Sequence, residues 1–353
     1  MNIKFNNGEK LMKKQLLSVF LAVIMCISMF TAGGANQMVN AAPEGIPNIL
    51  EYSANSSASG FVISSFAGME AFSSLAATTD FSGKTIYLAC DIDMADKEYT
   101  PFTSFAGTFD GQGHALKNLT INASLTNAGL FGSTTTTAHI KDLGIVGGTI
   151  TLSADTDAQR LGSFVGQMNG GLIERCYSTA KLVAKKYSST SSSDISVGGI
   201  VGANVTNGVI KDCFFGGTAT GIAHASGISD WGQGQKSGKV GKLINCLNFG
   251  KLSATTCYGL ARYSSSILEE NKANAITNCF YVGSYTDLDF TDQDKKVSAY
   301  RLGSGNLTYM LNENGATNVW RQGELCPELT VNQGGTYTLT ISYVAAGVTT
   351  SET

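Results

Sequence analysis

The sequence predicts an all-β chain folded as a β-solenoid, a stack of short strands repeated along one axis. Its first support is a set of columns. Aligned on one position, Leu119, Leu143, Cys176, Cys213, Cys246 and Cys279 coincide. Three residues earlier stand Leu116, Ile140, Ile173, Ile210, Leu243 and Ile276. One residue earlier stand Asn118, Asp142, Arg175, Asp212, Asn245 and Asn278, and four residues later a small residue, from Ala123 to Gly283. The second support is the spacing. Column steps of 24, 33, 37, 33 and 33 residues fit a stacked repeat, in which each unit buries its apolar face against its neighbours. The third is composition. The units are rich in Gly, Ser, Thr, Val and Ile, and no window holds a 3.6-residue period over three turns, which excludes helical repeats.

The columns imply a bend. Residues three apart point to opposite faces of a straight strand, yet both flanking columns are apolar. A corner between them turns both inward. The residue at that corner is Asn or Asp in five of six copies, the types that best tolerate left-handed backbone. The 24-residue step is read as one coil. The Ser-rich run 187–194 lengthens the longest step.

A Gly-rich signature precedes each column: Gly129-Leu130-Phe131-Gly132, Gly162 to Gly166, Gly198 to Gly202, then Gly227-Ile228 and Gly259-Leu260. These units resemble the GLUG-motif repeats of bacterial secreted and surface proteins. The stretch from Phe105 to His114, with Asp110 in its turn, resembles the opening coil of that class. The resemblance spans residues 64–328 and implies a right-handed parallel β-helix. It implies no reaction. The last two copies depart from the pattern, with Asp230 and Arg262 near the place of the second Gly.

In chain order, residues 1–41 read as a secretory signal peptide. Lys13 and Lys14 precede an apolar run over 16–30, and Val39, Asn40 and Ala41 supply the cleavage region. Met12 is a second candidate start. The run is too short for a stable membrane span, and Met25 before Cys26 disfavours a lipoprotein anchor. Residues 42–63 form a polar lead-in. Ser65 caps a short helix to about Ala77, with Phe66, Met69, Phe72 and Leu75 near one face, expected to cover the open end of the solenoid. The first strand is placed at 84–92. After the repeats, residues 287–294 form an acidic loop. Ser304 is expected to cap a second end helix carrying Leu307, Met310 and Leu311, ending near Gly315. The segment 329–353 holds a strand with alternating Tyr337, Leu339, Ile341 and Tyr343, part of a further module or an edge hairpin. It shows no Leu-Pro-x-Thr sorting motif.

Charged residues make up only 14% of the chain and the formal net charge is −3. That leaves no overall electrostatic footprint for nucleic acid or an anionic membrane, and no membrane insertion is expected once the signal is removed.

The chemistry-bearing residues are few. Stacked strands bring Cys176, Cys213, Cys246 and Cys279 within disulfide range, but their side chains run parallel, whereas a disulfide or a tetrahedral metal needs them to converge. They are expected to act as small buried hydrophobes. Asp91 and Asp93 open an EF-hand-like run that lacks the required Gly. Asp287, Asp289, Asp292 and Asp294 lack the bidentate Glu, leaving a loose oxygen site set against a solvated acidic loop. Polysaccharide-cleaving enzymes need converging acids. The one constellation of that kind is Asp142, Arg175 and Asp212 on successive repeats, and its plain alternative is a column of turn residues. Trp231 is a candidate for stacking on sugar or for packing on the rod itself. His139 and His224 lack a partner at metal spacing. No nucleophile elbow, His-Glu-x-x-His pair or phosphate loop is present, and no cofactor is expected.

The sequence therefore points to an exported β-helix at the bacterial surface or beyond it. It is expected to act as a non-enzymatic, adhesin-like binding or scaffold module, with glycans or host and cell-surface proteins as partners. Its binding loops are expected at 187–194, 229–239 and 261–274. A carbohydrate-active enzyme and a passive stalk of a larger surface protein are the alternatives.

Overall fold

In the computed structural model the described residues are 43–331, apart from 96, 125, 155–158, 187–194, 233–239, 264–274 and 286–295, together with 342–345 and 348–351. The local cause of the fold is the corner residue. Asp142, Arg175, Asp212, Asn245 and Asn278 all adopt left-handed backbone, with φ between 49° and 53°. Each ends one short strand and starts another at an angle. Ile140 and Leu143, on either side of Asp142, are both buried, as the apolar columns require.

Repeated corners divide each coil among five parallel sheets. In the coil that begins at His139–Lys141 (sheet I), the chain continues through Gly144–Val146 (sheet II), Thr149–Ala154 (sheet III), Gln159–Gly162 (sheet IV) and Val165–Met168 (sheet V). It then returns to sheet I at Leu172–Glu174 and repeats the order. Sheets I and II each hold eight strands, sheets III and IV five, and sheet V six. The architecture is all-β and solenoid-type, built of stacked parallel sheets.

Parallel pairing keeps like residues in line. On sheet I, Phe61, Ile86, Phe109, Ile140, Ile173, Ile210, Leu243 and Ile276 fall in one register. All are buried in the main core. This register corrects one alignment. Phe109, not Leu116, stacks on Ile140, and Leu116 stacks on Ile145 of sheet II. Asn118 is left-handed too, at φ 55°, but its N–H donates to Val146 O at 2.9 Å, which places it at the next corner, between sheets II and III. The 24-residue step is therefore not one coil. The coil from Phe109 to Ile140 takes 31 residues.

Helix α1, Phe66–Ser74, begins as expected, with the Ser65 hydroxyl accepting from Gly68 N at 3.2 Å. A 3-10 turn, Leu75–Ala77, continues it. Met69 and Phe72 enter the core. The Phe72 ring lies 4.6 Å from Phe102, 5.6 Å from Phe109 and 6.2 Å from Phe131, so the helix plugs the first coils from within. The lead-in contributes more than expected. Gly60–Ile63 is the outermost strand of sheet I, and Ile49, Phe61 and Ile63 are core residues.

Helix α2, Asn306–Leu311, departs from its expected place. Sheet II is apolar on both faces. Ile145, Phe215 and Tyr281 join the main core, whereas Tyr177, Phe214, Leu247 and Phe280 form a second cluster with Leu302, Leu307, Leu311, Trp320 and Leu329. The C-terminal segment thus lies against the outer flank of sheet II rather than across the end of the stack. Its start also differs. Gly305, left-handed at φ 74°, is the N-cap of α2, and the Ser304 hydroxyl donates instead to Arg301 O at 2.9 Å, at the end of the preceding 3-10 turn. Trp320–Gln322 pairs antiparallel with Pro327–Leu329. Ser342–Ala345 and Val348–Ser351 form a separate antiparallel pair.

Candidate functional site

The corner between sheets I and II carries the densest polar chemistry among the described residues. Backbone geometry sets it. The N–H of each corner residue donates to the following coil: Asp142 to Glu174 O at 3.2 Å, Arg175 to Lys211 O at 3.1 Å and Asp212 to Ile244 O at 2.9 Å. The side chains are then stacked one coil apart.

Asp142 and Arg175 are brought together. Arg175 Nε donates to Asp142 Oδ1 at 2.6 Å and Nη2 to Oδ2 at 3.1 Å, a bidentate pair. Arg175 also meets Glu174 at 2.8 Å. His139 Nε2 lies 2.9 Å from Glu174 Oε1, and Lys141 Nζ lies 2.6 Å from Asp110 and 3.6 Å from Asp142. Lys141 and Glu174 were not singled out from sequence, and Asp110 and His139 were named there without these pairings. Their signal is an alternation of sign at the repeat spacing, since Asp110, Lys141, Glu174 and Lys211 occupy one register on sheet I.

The electrostatics follow from the pairing. The hydrogen bond from His139, aided by Arg175 and opposed by burial, holds the Glu174 carboxyl down at about 2. Burial alone would lower the Lys141 ammonium, but the hydrogen bond and charge of Asp110 raise it. Burial likewise works against the charged Arg175, and Asp142 and Glu174 outweigh it.

Asp212 does not join this network. It is buried, and its Oδ1 accepts from Asn245 Nδ2 at 3.1 Å and from Trp320 Nε1 at 3.4 Å. Burial pushes its carboxyl up, with the Asn245 hydrogen bond opposing. Asn278 donates in turn to Asn245 Oδ1 at 2.8 Å. The three residues named from sequence therefore split into the Asp142–Arg175 pair and a carboxylate beneath the C-terminal segment, whose Oδ2 lies 3.9 Å from Lys211 Nζ.

Behind the corner stand Cys176, Cys213, Cys246 and Cys279, all free and buried. Each thiol lies 3.1–3.3 Å from the carbonyl two residues before it. Cysteine here fills a small apolar space and offers a weak donor to a corner carbonyl. Burial pushes the Cys213 and Cys246 thiols far up, away from reactivity.

The Gly column holds a further group. A Cβ at Gly166 would approach Ala128 N to 2.6 Å, and one at Gly202 would approach Leu161 N equally closely. One coil later the register shifts between Ser229 and Trp231, and Asp230 is accommodated. It is fully buried, accepts from Ser226 Oγ at 2.8 Å and pairs with Arg262 Nη2 at 2.8 Å. Arg262 Nη2 also reaches Ser196 Oγ at 3.3 Å. The departure from glycine was visible in the sequence; its pairing was not.

Near the N-terminal coil, Asp91 Oδ1 lies 3.3 Å from His114 Nδ1, and Oδ2 lies 2.7 Å from Lys117 Nζ. Asp93 accepts from Asn118 Nδ2 at 2.9 Å. Both carboxylates are thus engaged in joining coils. The Trp231 side chain, the loops 187–194, 233–239 and 264–274, and Asp287, Asp289, Asp292 and Asp294 lie outside the described residues. Among the described residues, no group of three or more His, Cys, Asp or Glu side chains is placed to hold a metal ion. Among them, no helix is long and apolar enough to cross a membrane.

No family model and no curated protein matches the chain. Among solved structures it is similar to a Bacteroides ovatus protein described as a putative immunoglobulin A1 protease. The TM-score is 0.50 at 17% identity, over 78% of this chain and 93% of that one. At that identity the likeness concerns the fold alone.

Proposed function

We propose that the chain is a right-handed, closed parallel β-helix of the GLUG-motif kind, exported by residues 1–41 and acting as an adhesin-like binding or scaffold module without catalysis. The observation that carries the non-catalytic part is the state of the corner carboxylates. Asp142 is clamped by Arg175, Glu174 is held far below neutrality, and Asp212 sits under Trp320. A general acid and base that converge on one substrate need free carboxyls on a shared groove. Here each one joins coils instead. The fixed five-sheet circuit supports the β-helix reading, and the low overall charge supports an extracellular partner other than nucleic acid.

The test incubates protein from residue 42 onward with neutral and acidic glycans and with immunoglobulin A1. It records retention, new sugar chain ends and immunoglobulin fragments. Retention without new ends or fragments is expected, and it should persist in the Asp142→Asn and Asp212→Asn variants. New ends lost in those variants would establish the carbohydrate-active alternative. Immunoglobulin fragments would transfer the neighbour's described activity to this chain. Neither retention nor products would leave the passive stalk.

A further inference from the structure

Charge is distributed unequally over the flanks of the stack. Along sheet I and its corner the half-buried and buried charges are largely paired, through Asp110, Lys141, Asp142, Arg175, Glu174 and His139. Sheet III differs. Its strands are Thr120–Ala123, Thr149–Ala154, Lys181–Lys186, Thr218–Thr220 and Lys251–Ser253. Ile121, Ile150, Leu152, Leu182, Ala219 and Leu252 point to the core, so the alternate residues face outward. Thr149, Lys181, Thr218 and Lys251 lie in one outer register, Thr151, Val183, Thr220 and Ser253 in the next, and Lys185 follows beside Ser153.

These five strands contain no acidic residue. Lys181, Lys185 and Lys251 are exposed, and none is engaged in an ion pair with a described residue. Exposed Glu98, bridged to Thr120, stands at the far end of the outer register, so the face is cationic from Lys181 to Lys251, on a chain whose formal net charge is −3. Lys181 and Lys251 are two strands apart, about 9.6 Å, and Lys181 and Lys185 are about 13 Å apart along one strand. Hydroxyls fill the intervals.

We propose that the outer face of sheet III binds an acidic polysaccharide, with Lys181, Lys185 and Lys251 meeting its carboxylate or sulfate groups and the Thr and Ser hydroxyls meeting its sugar hydroxyls. Charge complementarity selects an anion. The flat, repeating surface suits an extended polymer rather than a compact ligand. The cations are all lysine, point charges on flexible stems that can meet carboxylate or sulfate groups without a fixed bidentate geometry. The outer residues of these strands include no aromatic platform of the kind that stacks nucleobases. The inference rests on the binding-module reading and names its ligand class and surface.

The test measures retention of the protein on beads bearing polygalacturonate, heparin, neutral dextran or duplex DNA. Comparison is with the triple variant Lys181→Ala/Lys185→Ala/Lys251→Ala and with Lys242→Ala, which removes an exposed lysine from sheet I. Thermal unfolding of each variant verifies folding. Expected are retention on an acidic glycan, an affinity loss of about tenfold or more in the triple variant, no change in Lys242→Ala, and release at 1 M salt, where the screening length is about 3 Å. Equal retention by the triple variant, or equal loss in Lys242→Ala, overturns the assignment to sheet III. Equal retention on DNA reduces it to unselective charge. Retention on dextran alone overturns the acidic ligand while leaving a glycan-binding module. Retention on no glycan overturns both the face and glycan binding.

Discussion

Helices α1 and α2 are both short and both bury one apolar side, yet one packs inside the coil stack and the other outside it. Phe72 of α1 sits among phenylalanines of the first coils. Leu307 and Leu311 of α2 sit on Tyr177, Phe214, Leu247 and Phe280. The difference lies in the outer column of sheet II. It runs from Ala115 and Gly144 to Tyr177, Phe214, Leu247 and Phe280. A Cβ on Gly144 would lie 2.5 Å from the Tyr177 ring, so that ring lies over the glycine. From Tyr177 onward the outer face is apolar and needs cover. The placement of α2 thus follows from a row of side chains, and that of α1 from the open interior of the first coils.

The largest effect should come from emptying the plug. Phe72→Ala is expected to cost about 3–5 kcal/mol, read by chemical denaturation as one cooperative loss of the whole stack. An unchanged midpoint would show that α1 is a surface helix. Trp320→Ala is expected to cost about 3 kcal/mol, but mainly at the flank. Apolar dye should bind under conditions where the far-ultraviolet β signal persists. If both signals fail together, the flank is no separate unit. The caps come next. Ser65→Ala should cost about 1 kcal/mol, while Ser304→Ala should stay within about 0.5 kcal/mol, because Ser304 makes no capping bond to α2. Equal costs would erase the difference between the two helix starts.

The smallest effects are on pH dependence. Burial raises the Asp212 carboxyl in the folded state, so folding favours its protonated form. The covered flank should tighten as pH falls from neutral through the Asp212 transition toward the ordinary carboxylate range, and loosen as pH rises again. Asp212→Asn keeps an acceptor for Trp320 and Asn245, should alter stability by less than about 1 kcal/mol, and should flatten that dependence. Glu174 has the opposite sign. Its depressed carboxyl adds stability above the ordinary range near 4.3, lost as pH falls to about 2. Glu174→Gln should remove that acid limb. Unfolding midpoints across pH for both variants test the two slopes.

The inward column and the left-handed corner were legible in the sequence because both repeat in fixed positions. Asn118 was misassigned for the same reason. It has the same residue type and the same φ, but it turns a different corner, and local chemistry cannot number corners. The flank of α2 was hidden because periodicity cannot say which of two apolar faces is the interior. The ion network was hidden differently. Asp110, Lys141 and Glu174 are ordinary polar strand residues until register places opposite charges beside one another. Asp230 and Arg262 broke a pattern visibly, but only the shifted register at Ser229 and Trp231 explains how a buried pair fits where a glycine stood.

The spacing between strands carries a consequence for how such a chain can change. Two residues separate the strands of sheets I and II in every coil from His139–Lys141 onward: Asp142 and Leu143, Arg175 and Cys176, Asp212 and Cys213, Asn245 and Cys246, Asn278 and Cys279. Between sheets III and IV the gap varies freely, from two residues after Ser253 to eight after Lys186. One seam is fixed in length and the other is elastic. Foreign peptides grafted at the elastic seam should be carried at regular heights along the stack, while a single residue inserted at the fixed seam should throw every later rung out of step.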